Sequence, residues 1–513
     1  MATKEAPSPI SDQQLAQGLR MVTWQGLALQ AMLTLTGGTF LVALALRLGA
    51  DNLQIGILAA IPPLTQLAQI PWVYLVQKTR RRKALTILGA SVARACLFVL
   101  ALAPVLLTPA VALYVIMAML LVKNLGSSLS NSAWNSWMRD LVPSDNLGGF
   151  YSKRHAYATL TAMVLSLGAA VFLDWWKRAE PAHPEYGYSI IFLLGIGAGV
   201  LAIYFISRIP EVPMPRRKIG LIALLLEPFK DANFRNLIYF LGSWNFAVNL
   251  AAPFFTVYML KRLGYSMTYV IALGALSQLV SVFFYLIWGK LSDRYSNKSV
   301  LAISGPLFIF CLLGWTFVTF PGEHEHALTM PLLILLHMAM GISTSGTNLS
   351  TGNIAIKLAP RGRATGFLAA TTLANSLAAS LAPLVGGRFA DFFKDRKLSL
   401  SFTWEAPGSE QVFHVLKYQH WDFFFMFAFL LGGYSLYRLG RVQELGDEKG
   451  KIKLSEAMAQ VSQQLRNFST AGGLRSLTEF PVALVGRVSL RRPGRAQSAK
   501  RPQAKPVEPP SGD

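Results

Sequence analysis

The sequence predicts an all-α membrane protein: twelve transmembrane helices in two pseudo-symmetric six-helix bundles. Three observations carry this. Between about residues 23 and 436, apolar runs long enough to cross a bilayer alternate with short segments into which the charges are crowded. Lys and Arg are divided unequally between alternate connecting segments. The second half of the chain also repeats landmarks of the first at a fixed offset.

The apolar runs come first. The chain has 513 residues, of which 53% are hydrophobic and only 14% charged, with a mean hydropathy of +0.40. A soluble domain carries about a quarter charged residues. A span needs about 20 apolar residues, and a lipid-exposed strand would leave its backbone groups unpaired, so helix is the expected form. Twelve spans are read at 23–48, 53–76, 84–107, 109–136, 152–174, 188–208, 234–260, 266–289, 299–320, 328–356, 362–390 and 421–438. They are numbered 1 to 12 below.

Orientation follows from the basic residues, which accumulate on the cytoplasmic side. With the N-terminus inside, the inner segments hold 22 Lys and Arg and the outer ones 10, before the tail is counted. The inner set includes Lys78–Lys83 and Lys290–Lys298. An even number of spans returns the C-terminus to the same side. A multi-pass inner-membrane protein with both termini cytoplasmic is expected. The formal net charge of +22 is then the positive-inside bias plus attraction to anionic lipid, and no nucleic-acid partner is predicted. Cys96 and Cys311 both fall inside spans, so no disulfide framework is expected. No cleavable signal peptide is read either, because Met1–Leu19 is mostly polar.

The chain divides into a first bundle (1–208), a cytoplasmic linker (209–233), a second bundle (234–438) and a basic tail (439–513). The linker combines Pro210, Pro213 and Pro215 with Arg216, Arg217 and Lys218, and its apolar run Ile219–Leu226 suggests an interfacial helix. In the tail, Lys451–Arg466 suits a surface helix. Arg487 to Lys505 carries seven basic and no acidic residues, the composition of a largely disordered stretch facing anionic lipids.

The repeat follows. Leu141-Val142-Pro143 and Gly149-Phe150 align without gaps on Leu358-Ala359-Pro360 and Gly366-Phe367, 217 residues later, and Asn131 aligns on Asn348. Repeated halves are how many transporters are built, with the substrate site between them near the bilayer midplane.

Gly289-Lys290-Leu291-Ser292-Asp293-Arg294-Tyr295-Ser296-Asn297-Lys298 lies between spans 8 and 9. It resembles the loop signature of the major facilitator superfamily: glycine, acid, base, then a further base. Ser296 departs from it, standing where that family has a second glycine. In the equivalent loop of the first half, Gln77 stands for the acid and Val73 for the glycine. The resemblance covers about residues 20–440. It implies a secondary active transporter that moves a small solute by alternating access, with or without a coupling ion, as a monomer and without a cofactor. It also implies that Gly289, Asp293, Arg294 and Lys298 form a conformational latch, the carboxylate sitting at a helix N-terminus. The alternative is a non-transporting membrane sensor or assembly factor of the same fold.

No Asp or Glu lies deep in any span; Asp174, Asp391 and Asp422 sit at outer ends. Arg94, Lys123 and His337 do lie inside spans, where charge is costly and is turned toward protein or a wet cavity. Lys123 and Arg94 read either as anion contacts or as structural donors, and His337 either as a proton-sensitive site or as a core histidine. Spans 4 and 10 carry polar ladders, Asn124 to Asn135 and Ser343 to Asn353. Spans 1, 4, 7 and 10 line the central cavity by resemblance. The substrate-binding candidates are therefore Gln30, Lys123, Asn131, Asn135, Asn245, Asn249, His337 and Asn348. Gly37-Gly38, Pro62-Pro63 and the Ala382-Pro383 to Gly386-Gly387 segment are expected either to bend helices or to pack them closely. The Glu323–His326 run has metal-ligand residue types but is short and isolated, and no metal site is predicted. No nucleophile–base pair or phosphate loop is present to suggest an enzyme.

Overall fold

The computed structural model describes residues 11–141, 147–211, 227–318, 325–360, 364–406, 409–419 and 421–444. The interfacial helix at Ile219–Leu226, the surface helix at Lys451–Arg466, the basic tail and the side chains of Glu323–His326 lie outside these residues. So does part of the repeated loop, Val142–Pro143.

Twelve helices have the length and apolar character to cross a membrane: Gln13–Arg47, Asn52–Thr79, Arg82–Leu106, Pro109–Met138, Tyr157–Ala179, Glu185–Ser207, Ala232–Arg262, Met267–Arg294, Asn297–Phe317, Thr329–Leu358, Phe367–Phe392 and Trp421–Gly440. They coincide with the twelve expected spans. Several begin with side-chain caps that satisfy the first free N–H groups. Asp51 and Gln54 form a capping box on span 2, Asp231 caps span 7 and Ser266 caps span 8. Large apolar side chains such as Leu88, Tyr114, Leu194, Phe310 and Leu430 remain exposed. Hydrocarbon rather than water covers such positions in a spanning helix.

The breaks fall partly where expected. Span 1 divides into Asp12–Thr36 and Gly38–Arg47, with Gly38 at φ 54°, a left-handed conformation that glycine adopts without strain. Span 2 divides into Asn52–Gln66 and Gln69–Thr79. Its Pro62 and Pro63 stay inside the first piece, and the interruption comes one turn later. There, Leu67 and Ala68 donate to Leu64 and Thr65 at 3.1 and 3.2 Å in a tighter 3₁₀ pattern. Span 11 runs unbroken from Ala364 to Phe392 through Pro383.

The second half is held by an aromatic cluster. Phe255 stacks on Trp315 at 4.6 Å between ring centroids, Tyr258 meets Trp315 edge-on at 5.8 Å, and Phe425 packs against both. The segment between spans 11 and 12 contains an antiparallel hairpin, Lys397–Ala406 paired with Ser409–Gln419, with a register shift at Leu400/Ser401. Its period-two signal, Leu398, Leu400, Phe402 and Trp404 alternating with polar residues, is present in the sequence.

Candidate functional site

The spans have a basic end, marked by Lys78–Lys83 and Lys290–Lys298, and a far end opposite. The extensive packing between spans 1–6 and spans 7–12 joins span 2 to span 11 and span 5 to span 8. Among the described residues, it includes hydrogen bonds at the far end. Asp391 on span 11 accepts from the Asn52 side-chain amide at 2.8 Å and from the Leu53 backbone N–H at 3.0 Å. Asp174 on span 5 accepts from the backbone N–H groups of Met267 and Thr268 at 3.1 and 2.8 Å. Each carboxylate therefore sits on the first turn of a helix from the other half, where free N–H groups and the helix dipole favour an anion. Beside them, spans 2 and 11 cross backbone to backbone. A Cβ on Gly387 would stand 2.5 Å from the Asn52 carbonyl oxygen, and one on Gly56 would overlap the Pro383 carbonyl. The glycines of span 11 serve close packing here, not a bend.

At the basic end, the bonds among the described residues close within one half. Glu211, just after span 6, accepts from Lys83 N–H at 3.1 Å, and Lys83 Nζ donates to the Ile209 carbonyl at 3.0 Å. Glu444, just after span 12, is buried. It accepts from Asn297 N–H and Nδ2 at 3.2 and 2.7 Å and from Lys298 N–H at 2.7 Å. Lys357 Nζ stands 3.6 Å from it.

Between these ends the polar ladders change environment. On span 4, Asn124 and Ser128 are buried, and Asn124 donates to the Leu120 carbonyl at 2.8 Å. Asn131 and Asn135, on the same helical face toward the basic end, are exposed. Span 10 repeats the pattern: Gly341 is packed on Ser277 and Val280, while Asn348 is exposed. A face covered in the far half is thus uncovered in the basic half, at positions related by the 217-residue repeat. Most hydroxyls of the span 10 ladder turn back on their own helix. Ser343, Thr344, Thr347 and Thr351 all donate to carbonyls of the preceding turn.

The other candidates are distributed as follows. Asn245 and Asn249 are half-buried, and each donates Nδ2 to the carbonyl four residues back, at 2.9 and 2.8 Å, which leaves their Oδ1 atoms as acceptors. Gln30 donates to Thr34 Oγ1 at 3.3 Å. Lys123, the fifteenth of the 30 residues in span 4, is half-buried. Arg94, at the middle of span 3, is buried and donates to the carbonyls of Gly199 and Ala90 at 3.3 and 3.0 Å. His337 is not brought to the ladders. It is buried with Nδ1 2.8 Å from the Leu333 carbonyl and its ring edge-on to Trp315, as a core histidine.

The latch residues are also separated. Asp293 and Arg294 are exposed, and the Arg294 guanidinium lies 5.4 Å from the Tyr295 ring. A Cβ on Gly289 would meet open space. Lys298 contributes its backbone to Glu444. The start of span 5, on the same side, adjoins the undescribed residues 142–146.

Several groups escaped the sequence reading. Asp174 and Asp391 were legible as span-end acids, but not as partners of the opposite half. Arg154 reaches Gln25 Oε1 at 3.0 Å and stands 6.0 Å from the Trp134 ring centroid, tying span 5 to spans 1 and 4. An open cavity of about 990 Å³ near the far end of span 11, between Leu384 and Phe393, is lined mainly by apolar side chains and lies apart from the ladders.

The sequence profile of the Major Facilitator Superfamily matches residues 26–383. Similar solved structures include the nucleoside transporter NupG, at 14% identity and a TM-score of 0.59, covering 87% of this chain and 99% of that one. A bacterial homologue of the human lysosomal transporter Spinster, inward-facing and unoccupied, is similar at 15% identity and a TM-score of 0.54, over 75% of this chain and 84% of that one. A POT family transporter in complex with 5-aminolevulinic acid is similar at 14% identity and a TM-score of 0.57, over 83% and 94%. At these identities the likeness is one of fold. No curated protein sequence matches the chain.

Proposed function

The chain belongs to the major facilitator superfamily and is a secondary transporter; we propose that it carries a small solute by rocking residues 1–208 against residues 234–438, and that its basic, cytoplasmic end is open here. One observation carries this reading. The bonds and close backbone crossings between the halves gather at the far end, while the ladders of spans 4 and 10 are uncovered toward the basic end.

The solute enters between the halves and meets Asn131, Asn135 and Asn348 first, then the acceptor atoms of Asn245 and Asn249 and the Gln30 amide deeper in. Closure of the basic end would bring the exposed Asp293 to a helix terminus of the first half, and opening of the far end would release Asp174 and Asp391. Exchange between the two forms is the alternating-access cycle.

The test uses accessibility and flux together. Asn131→Cys and Asn348→Cys should react with a membrane-impermeant maleimide in inside-out vesicles and not in right-side-out ones. The native Cys96 and Cys311 are buried and leave a low background. In proteoliposomes, a panel of small solutes should include one with saturable, counterflow-stimulated uptake. Equal labelling from both faces, or ligand binding without any flux, would remove the reading.

A further inference from the structure

The membrane interior of this protein carries positive charge with no built-in counter-charge. Arg94 and Lys123 each sit at the middle of their span. Asp and Glu occur only near the ends of the twelve spans, and two of those, Asp174 and Asp391, are committed to the far-end caps. An uncompensated charge at this depth is costly and turns to protein or to water.

The two cations are held differently. Arg94 is buried and donates to two backbone carbonyls, so the fold has accommodated it. Lys123 makes no hydrogen bond or ion pair with any described residue and is only half-buried, so it remains reachable. On span 4, Lys123 projects between the face packed on span 3, marked by Gly126 and Ser130, and the face carrying Asn124 and Asn131. Arg154, on the helix of span 5, stands 6.0 Å from the ring of Trp134, and Trp134 lies about 16 Å from Lys123 along span 4, toward the basic end.

We infer that the transported solute bears a negative charge, as a carboxylate, phosphate or sulfate, and that Lys123 pairs with that group at mid-membrane depth. This rests on the transport reading and narrows it to anions. An ammonium acts as a point charge with three donors and is suited to any of these oxyanions.

The test uses the full chain purified and reconstituted in phosphatidylcholine, which excludes an anionic lipid as the occupant. Probes are succinate, inorganic phosphate and sulfate against uridine, glucose and putrescine, at fixed ionic strength, with both thermal stabilisation and uptake recorded. At least one anion should stabilise the wild type and be taken up. Lys123→Gln should weaken that anion's apparent affinity about ten- to a hundredfold, as loss of a charged hydrogen bond does, and Lys123→Arg should restore part of it. Should Lys123→Gln fail to fold, the wild-type ranking of probes by charge and the Lys123→Arg variant still decide. Stabilisation and uptake confined to neutral or cationic probes would overturn the inference and leave the transport reading standing. Anions that stabilise through Lys123 but never cross would overturn the transport reading and leave the site.

Discussion

Asp174 and Asp391 lie 217 residues apart in sequence and make the same contact from opposite halves. Each lies in the far-end part of its helix and caps the first turn of a helix in the other half, span 8 for Asp174 and span 2 for Asp391. The caps are related by the same offset that aligns Asn131 with Asn348. Far-end closure is therefore built on a pair of carboxylate-to-helix contacts.

Asp391→Ala leaves the Leu53 N–H and the Asn52 amide without their acceptor. It should destabilise the far-end-closed form by about 1–3 kcal/mol, moving the population toward the form closed at the basic end. Maleimide labelling of Asn348→Cys in this background should slow in proportion to the loss of the population open at the basic end. An unchanged labelling rate would show that the cap does not hold the halves together.

Gly387→Ala places a methyl group 2.5 Å from the Asn52 carbonyl oxygen and 2.8 Å from the Leu53 Cα. Backbone cannot give way as a side-chain tip can, so spans 2 and 11 should part, at a cost of about 1–3 kcal/mol. Spin labels at the far ends of these spans should report a longer distance than in the wild type. An unaltered distance distribution would contradict the close crossing.

Glu444→Ala removes the acceptor for three donors on Asn297 and Lys298 at the start of span 9. The loss should be about 2–4 kcal/mol, since buried donors are left unpaired. It should appear as a lower midpoint of thermal unfolding in detergent, with labelling of Asn131→Cys little changed. Altered labelling with an unchanged midpoint would make Glu444 a gating residue.

His337→Leu keeps the packing against Trp315 and gives up one bond to the Leu333 carbonyl. Uptake should keep its pH profile between about pH 5 and 8, the range in which histidine titrates, with a stability change below about 1.5 kcal/mol. A flattened profile would return His337 to the transport machinery.

The spans and their number were legible because hydrocarbon enforces a long apolar pattern that short-range contacts cannot disguise. The 217-residue repeat was legible because Pro, Gly and Asn punctuate both halves in the same order. Bonds between distant residues were not. Asp174 and Asp391 looked like ordinary span-end acids, because nothing in a single sequence says which helix start lies opposite. His337 shows the converse. Its depth in the span was readable, but whether it met a cavity or Trp315 depended on helix rotation, which the apolar composition around it left undetermined. Gly387 read equally well as a kink or a contact, and only the position of Asn52 decides between them.

Each half closes its own basic end with a carboxylate that trails its last span: Glu211 on Lys83, and Glu444 on Asn297 and Lys298. Both contacts are made by residues outside 212–226. The molecule is thus two separately finished bodies strung on one polypeptide, and nicking the string between residues 212 and 226 should leave both intact and still able to find each other.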